Sequence, residues 1–230
     1  MNETFNEDPV EVQAMEPGTN GNFLVVGLGA SAGGVQALRD FFSHVPAETN
    51  MAYIVILHLS PDHDSQLAEV LQSASLLPVT KVERRTRVEP DHVYVIPPNK
   101  SLEIKNGHID GLNMTSHEVR RAPVDILFRT LAQSHGPRAV SVVLSGTGAN
   151  GSMGMKRVKE MGGLCIVQDP QEAEYNDMPA RSLATGLVDG FGTPLAPAFY
   201  LMGVAVVSAA VVILLFRETK DLSLSRTTVL

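Results

Sequence analysis

Short, continuously apolar runs alternate along the chain with segments whose apolar residues recur every three or four positions. Apolar runs without polar alternation are typical of strands buried on both faces of a parallel sheet. The pattern predicts strands at residues 23–26, 52–57, 79–82, 92–96, 101–104, 108–112, 139–144, 164–167 and 186–188. It predicts helices over 35–45, 66–73, 124–134, 152–161 and 180–184. The alternation predicts an α/β fold with a doubly wound, mostly parallel, Rossmann-like sheet flanked by helices.

Two of these strands are joined by a strong turn signal. Asn106-Gly107 lies between the predicted strands at 101–104 and 108–112. Both residues of a type I′ turn need a positive φ, which Asn and Gly adopt most readily. The sequence therefore predicts a β-hairpin at this point.

Candidate functional residues follow three of the predicted strands. Ser31 lies in the glycine-rich segment 27–34 after the first strand, and His58 ends the second. The third is the loop 145–151, which follows the strand at 139–144. The first segment predicts a strand, a tight glycine turn and a helix start, where main-chain N–H groups can hold an anion or an oxyanion. In doubly wound sheets the chemistry gathers at such carboxyl ends of strands.

Three interpretations of the glycine-rich segment are possible. The spacing of Gly27, Gly29 and Gly33 loosely matches a dinucleotide-binding fingerprint, but the second strand ends in His58, where that site has an acidic residue. Alternatively, Ser31 is a nucleophile and His58 its base, since successive strands are usually neighbours. The third interpretation is structural, with Ser31 as a helix cap and His58 as a loop histidine.

Composition narrows the classes of function. The formal net charge is −7, there is no Trp and aromatic residues are few, so the sequence argues against a nucleic-acid-binding surface. The single cysteine, Cys165, excludes a disulfide framework and a cysteine metal cluster, and its apolar neighbours predict an inert buried thiol. No group of ligand residues has metal-binding spacing, so neither a metal nor a cofactor is predicted.

The two ends of the chain differ from its middle. Residues 1–22 are acidic and lack the apolar core of a secretory signal, so a disordered leader is expected. Residues 195–216 carry no charge and, at about 1.5 Å per residue, can cross a hydrocarbon core of about 30 Å. The sequence predicts a C-terminal transmembrane helix there, with a buried core helix as the alternative. The expected division is a leader at 1–22, the α/β domain at 23–189, and a linker, transmembrane helix and polar tail at 190–230.

Seven motifs occur along the chain in the order of a known family. They are Gly-Leu-Gly-Ala-Ser-Ala-Gly-Gly (27–34), Val-Ile-Leu-His-Leu-Ser (55–60), Val-Tyr-Val-Ile-Pro-Pro-Asn (93–99), Pro-Val-Asp-Ile-Leu-Phe-Arg (123–129), Val-Leu-Ser-Gly-Thr-Gly (143–148), Gln-Asp-Pro-x-x-Ala-Glu-Tyr (168–175) and Ala-Thr-Gly-Leu-Val-Asp (184–189). The chain resembles the catalytic domain of the CheB family of chemotaxis receptor methylesterases, as found in methylesterase–methyltransferase fusion proteins. The resemblance stops near residue 189, short of the domain's usual ending.

This resemblance implies hydrolysis of glutamate methyl esters on chemoreceptors and deamidation of certain receptor glutamines. It implies that Ser31 is the nucleophile and His58 the general base, with main-chain N–H groups near Ala32 and Thr147 as oxyanion donors. The family's third catalytic residue, an aspartate, is replaced here by Asn150. An amide cannot stabilise an imidazolium by charge, so weakened activity is expected. The alternative is a catalytically inactive signalling or binding module on the same fold.

The resemblance also implies partners. These are the methylated cytoplasmic helices of chemoreceptors and, in another chain, a methyltransferase or a phosphorylated receiver domain. The tail resembles the last helix of major facilitator transporters, including the polar residues 217–220 that follow it. We therefore expect a cytoplasmic domain that a C-terminal helix tethers to the inner membrane.

Overall fold

The structure is a computed structural model of the 230-residue chain, and it describes residues 22–58, 66–98, 100–113 and 122–191. The expected leader, apart from Asn22, and the predicted membrane helix at 195–216 lie outside the described residues. Within the described ranges, no helix is both long and apolar enough to cross a membrane. The membrane helix therefore stays a prediction.

The observed elements follow the predicted order closely. The strands are β1 (Leu24–Ala30), β2 (Met51–Leu57), β3 (Val79–Lys81), β4 (Thr86–Arg87), β5 (His92–Ile96), β6 (Lys100–Lys105), β7 (His108–Asn113), β8 (Ala139–Val143) and β9 (Leu164–Val167). The helices are α1 (Gly34–Ser43), α2 (Leu67–Ala74), α3 (Pro123–His135), α4 (Ser152–Glu160) and α5 (Asp177–Phe191), and a 3₁₀ turn (Gly136–Arg138) follows α3.

Six strands form one parallel sheet in the order β3-β5-β2-β1-β8-β9. Side chains from α1 and α2 fill the core on one face of this sheet, and side chains from α3, α4 and α5 fill it on the other. The α/β prediction is confirmed. The chain builds outward from β1 through β2 and then returns to β8 on the other side of β1. The strand order therefore reverses between β1 and β8, which is where such sheets bind their ligands.

The predicted hairpin is confirmed and belongs to a second, antiparallel sheet with the order β4-β7-β6. Asn106 and Gly107 join β6 to β7 with φ of 51° and 70°, as a type I′ turn requires. Buried Leu102, Ile104 and Ile109 pack into the core on the α3 face of the main sheet. The small sheet therefore covers part of that face.

The glycine turn lies later in the chain than the sequence predicts. The first strand was expected to end at Val26, but β1 continues through Gly27 and Gly29 to Ala30. The turn consists of residues 31–33, and Gly33 alone of these has a positive φ, at 69°. The predicted end of the first strand at Val26 is therefore wrong, and the observed turn occupies only the later part of the predicted segment 27–34.

Close packing by α3 explains the two glycines inside β1. A Cβ at Gly27 would lie 3.0 Å from Leu131 Cδ2, and a Cβ at Gly29 would overlap Val124. Both neighbours belong to α3. The glycines thus let a helix lie directly on the strand, and they do not form the phosphate-binding turn of a dinucleotide fingerprint.

Replacing Gly29 with Ala is expected to lower the free energy of unfolding by about 1 to 3 kcal/mol, because the new methyl group overlaps Val124. The control is Gly186→Ala in α5, where a Cβ would meet no atom within 4 Å. Alanine there should add about 0.5 to 1 kcal/mol through helix propensity. Urea unfolding of both variants measures this, and equal effects at the two positions would contradict the packing explanation.

The end of the domain also differs from the prediction. A short helix at 180–184 and a strand at 186–188 were expected, but the single helix α5 covers both. Met178 and Ser182 are buried at helical spacing on it. The apolar run at 186–188 is too short for its pattern to distinguish a strand from a helix, and the helical period continues through it.

His135, the last residue of α3, makes stability depend on pH. It is 5% exposed, and burial, followed by the positive charge of Arg138, lowers its pKa from 6.5 to about 4. Between pH 6.5 and about pH 4, the unfolded chain therefore binds a proton at His135 that the folded chain does not bind. The contribution of neutral His135 to the free energy of unfolding is fully present above pH 6.5. About 3 kcal/mol of it is expected to be lost as the pH falls to about 4.

Urea unfolding at about pH 7.5 and pH 4.5 measures this loss. His135→Asn should reduce the difference between the two pH values, whereas substitution of the exposed His44 by Asn should not. An unchanged pH dependence in His135→Asn would contradict the assignment.

Candidate active site

Ser31 lies immediately after β1, where the strand order reverses. It is 9% exposed, its main-chain N–H donates to the Ser145 carbonyl at 3.0 Å, and its Oγ donates to the His58 carbonyl at 3.1 Å. These bonds connect the chain after β1 to the chain after β8 and after β2. Helix α1 has Gly33 as its N-cap without a side-chain cap bond, so the alternative interpretation of Ser31 as a helix cap is wrong.

His58 is the first residue after β2 and lies next to Ser31. The register of β1 and β2 pairs Ala30 with Leu57, and the His58 N–H donates to the Ala30 carbonyl at 2.8 Å. The Ser31 hydroxyl meets the main-chain carbonyl of His58, and no described residue hydrogen-bonds the His58 ring. Transfer of the hydroxyl proton to the ring therefore requires the Ser31 hydroxyl to turn away from that carbonyl.

The main-chain N–H groups of Ala32, the residue after Ser31, and of Thr147, the residue after Gly146, have no acceptor among the described residues. Ala32 precedes α1, and Thr147 lies in the loop after β8. The N-terminal end of a helix carries a partial positive charge. Both groups therefore have the chemistry to stabilise a negative oxygen.

Ser145 joins the loops of the site, and sequence reasoning missed it. Its N–H donates to Gln168 Oε1 at 2.7 Å, and its Oγ donates to the Ala32 carbonyl at 2.8 Å and accepts from the Tyr175 N–H at 3.0 Å. It is 1% exposed. A polar residue directly after the predicted strand at 139–144 was the available signal, but its partners lie 23 to 113 positions away.

Gly146 lies between Ser31 and the start of α5. A Cβ there would overlap Met178 Sδ and lie 3.0 Å from Ser31 Cβ. Met178 is 1% exposed, and its N–H donates to the Gly146 carbonyl at 3.0 Å. Ser31 is therefore packed tightly on this side.

Asn150 lies in the loop after β8, like Gly146, but its side chain is hydrogen-bonded to α3. Its Oδ1 accepts the main-chain N–H of Asp125 at 3.1 Å, while its Nδ2 is buried and has no hydrogen-bond partner among the described residues. The structure describes no bond between Asn150 and His58. The three residues selected from the sequence thus follow neighbouring strands, and the Ser31 hydroxyl is hydrogen-bonded to the main-chain carbonyl of His58.

The described residues contain no group of three His, Cys, Asp or Glu side chains that could hold a metal ion. Cys165 is half-buried, its Sγ donates to the Met155 carbonyl at 3.3 Å, and burial raises the pKa of its thiol. A raised pKa disfavours the reactive thiolate. This environment agrees with the inert thiol expected from the sequence.

Comparisons with known proteins all identify the same family. A family model described as CheB methylesterase matches residues 26–197. A protein-glutamate methylesterase/protein-glutamine glutaminase of Hydrogenovibrio crunogenus is 36% identical over 169 residues, covering 72% of this chain and 45% of that protein. A putative protein of the same description from Leptospira interrogans is 27% identical over 169 residues, covering 73% of this chain and 88% of that protein.

A solved structure is also similar. The CheB methylesterase catalytic domain of Thermotoga maritima has a TM-score of 0.64 and 28% sequence identity, covering 71% of this chain and 89% of that chain. The match to the Hydrogenovibrio protein spans less than half of that protein's length. The similarity to the Hydrogenovibrio protein therefore covers only part of that protein.

Proposed function

Because this chain belongs to the CheB methylesterase family, we propose that it hydrolyses glutamate methyl esters of chemoreceptors, and deamidates receptor glutamines, with Ser31 as the nucleophile. One observation carries the proposal. A nearly buried serine hydroxyl is hydrogen-bonded to the main-chain carbonyl of His58 where the strand order reverses. A serine needs a neighbouring base to become nucleophilic, and His58 is the titratable residue next to it in the fold, so its ring serves once the hydroxyl turns toward it.

The proposed reaction has two steps. Ser31 Oγ attacks the ester carbonyl while its proton passes to the His58 ring, and the leaving methoxide takes that proton and departs as methanol. Water then attacks the acyl-enzyme carbonyl and gives a proton to His58. His58 passes that proton to Ser31 Oγ as the bond between Oγ and the acyl carbon breaks, which restores Ser31 and releases the carboxylic acid, and this acid then ionises to glutamate. The free N–H groups of Ala32 and Thr147 support the proposal as oxyanion donors.

We also propose that this activity is weak, and the orientation of Asn150 supports this. The Asp125 N–H requires an oxygen acceptor, so the amide must direct its Oδ1 there and its Nδ2 toward the interior. The interior side therefore offers a donor and no negative charge. Replacing the aspartate of a serine protease triad by asparagine lowers kcat by about 10⁴-fold. We expect a comparable weakening here.

The experiment measures methanol release from a methylated receptor fragment by the whole chain. We expect slow turnover by the wild type and by Ser43→Ala, a control at an exposed serine, and none by Ser31→Ala. Equal turnover by Ser31→Ala and the wild type would exclude Ser31 as the nucleophile.

The alternative function is a catalytically inactive signalling or binding module. The Nδ2 of Asn150, which has no partner among the described residues, favours it, because a complete triad would place an acceptor at this position. Binding of the methylated fragment without turnover, in the wild type and in Asn150→Asp alike, would establish this alternative.

We also propose that residues 195–216 tether the domain to the inner membrane, close to its receptor substrate. The absence of charge over this segment supports the proposal. The partners proposed are receptor helices and, in another chain, a methyltransferase or receiver domain. Deletion of residues 195–230 should move the protein from the membrane fraction to the soluble fraction. An unchanged distribution would exclude the tether.

A further inference from the structure

Helices α3 and α4 both begin without a cap from their own N-cap residue. The residue before α3 is Ala122 and the residue before α4 is Gly151, and neither has a side-chain oxygen. The first N–H groups of a helix have no partner within the helix and need acceptors from elsewhere. The structure must therefore supply them from other parts of the chain.

The two helices receive these acceptors crosswise. Asn150, just before α4, accepts the N–H of Asp125 in α3 at 3.1 Å. The Asp125 carboxylate in turn accepts the N–H of Gly154 in α4 at 2.7 Å. Both donors are the third residue of their helix, where a capping oxygen normally bonds. Each helix start is thus held by a residue of the other segment.

Glycines bring the two helix starts into contact. A Cβ at Gly154 would lie 2.6 Å from the Asp125 carbonyl oxygen, and a Cβ at Gly151, which has a φ of 103°, would lie 2.9 Å from Val124 Cγ1. Asp125 is 7% exposed. The contact leaves little room for either helix start to move without breaking the crossed bonds.

This arrangement sets the orientation of residue 150. A main-chain N–H can bond the oxygen of an amide but not its NH₂ group. The Asp125 N–H therefore holds Oδ1 on its own side and leaves the second terminal atom of residue 150 buried on the opposite side. With aspartate at position 150, that second atom would be a carboxylate oxygen, an acceptor for a histidine N–H.

We propose that Asp125 is a positioning residue of the candidate active site: its carboxylate fixes the start of α4 and with it residue 150, and its N–H decides which atom of residue 150 faces the interior. The inference rests on the proposed function, because position 150 is where the family has its third catalytic residue. Asp125 acts through residue 150 and does not itself touch the substrate.

Kinetic tests are made in the Asn150→Asp protein, where turnover is expected to be measurable. Adding Asp125→Ala should lower kcat about 100-fold with little change in KM, because a catalytic group displaced by about 1 Å loses about that much. Adding Asp125→Asn should retain most of the kcat, because the amide oxygen still accepts the Gly154 N–H. Asp125→Leu, which has the same branching at Cγ but is larger and has no acceptor, replaces the alanine variant if that one folds poorly. Equal kcat for all of these variants would overturn the proposal.

Asp91 provides a matched control at the opposite edge of the sheet. Its Oδ1 accepts the N–H groups of Thr49 and Asn50 at 2.6 and 2.8 Å, before the amino end of β2. Asp91→Ala also removes a carboxylate that accepts two main-chain N–H groups, at a half-buried position far from position 150. It should lower the melting temperature and leave kcat unchanged. An equal loss of kcat in Asp91→Ala would show that general destabilisation explains the result, and the proposal would fall.

Amide hydrogen exchange of the full chain tests the coupling without any activity. In Asp125→Ala, protection should fall at the N–H of residue 154, which loses its acceptor, and also at the N–H of residue 125, whose acceptor is on Asn150. Retained protection at residue 125 would overturn the proposal. If Asn150→Asp shows no turnover, the proposed function fails, and this exchange result still decides the positioning role.

Discussion

Substitution of Asn150 by Asp is expected to raise kcat for methyl ester hydrolysis by about 10³- to 10⁴-fold, the reverse of the loss that the opposite change causes in a serine protease triad. One carboxylate oxygen would take over the bond to the Asp125 N–H, as Oδ1 does now. The other would replace the buried Nδ2 that has no partner among the described residues. The substitution thus exchanges an unpaired donor for an acceptor and a negative charge that stabilises the histidinium.

The measurement is methanol release at saturating substrate by purified wild type and Asn150→Asp. Asn150→Ala is the matched control: it removes the misplaced donor without supplying charge, and it should not raise kcat. Asn-Gly sequences deamidate readily, so the mass of the peptide containing Asn150 and Gly151 should be checked in the wild-type sample. A folded Asn150→Asp protein no faster than the wild type would contradict the assignment of position 150.

Gly146→Ala, made in the Asn150→Asp protein, is expected to lower kcat about 100-fold by displacing Ser31. The added Cβ would overlap Met178 Sδ on one side and lie 3.0 Å from Ser31 Cβ on the other. Met178 is 1% exposed, so its side chain has little free space into which to move. We expect part of the displacement to fall on Ser31, which moves the proposed nucleophile relative to His58.

Gly163→Ala separates this effect from a loss of stability. A Cβ at Gly163 would lie 2.5 Å from the Ala139 carbonyl oxygen, an overlap at the amino end of the sheet, far from Ser31. Both variants should unfold at lower urea concentration, but only Gly146→Ala should lose kcat in the folded protein. Equal kcat losses, or none, would contradict the packing of Ser31 against Gly146.

Much of the fold was predictable because many of its strands and turns have recognisable local sequence patterns. Buried parallel strands such as β2 and β8 consist mostly of β-branched and aliphatic residues, and Asn106-Gly107 defines its own turn. Predictions failed where one local pattern fits two structures. The run at 186–188 suits a strand, but the helix before it continues through it.

The predictions for the residues of the candidate active site also succeeded where the signal is local and failed where it is not. Ser31 and His58 were identifiable because each follows an apolar run, and parallel strands carry their carboxyl ends to one edge of the sheet. Ser145 was missed, because its role rests on bonds to residues 23 to 113 positions away. No local pattern encodes such partners.

The sequence by itself determined the order of the elements, the parallel sheet, the position of Ser31 and His58 at neighbouring strand ends, and the amide at position 150. Only the tertiary structure decided that Gly27 and Gly29 admit α3 against β1. It alone also decided that Asp125, 25 positions before Asn150, fixes which atom of that amide faces the interior. Periodicity and residue type report burial and local conformation, whereas these assignments depend on which surfaces meet when helices pack on a sheet, and that is a property of the whole folded chain.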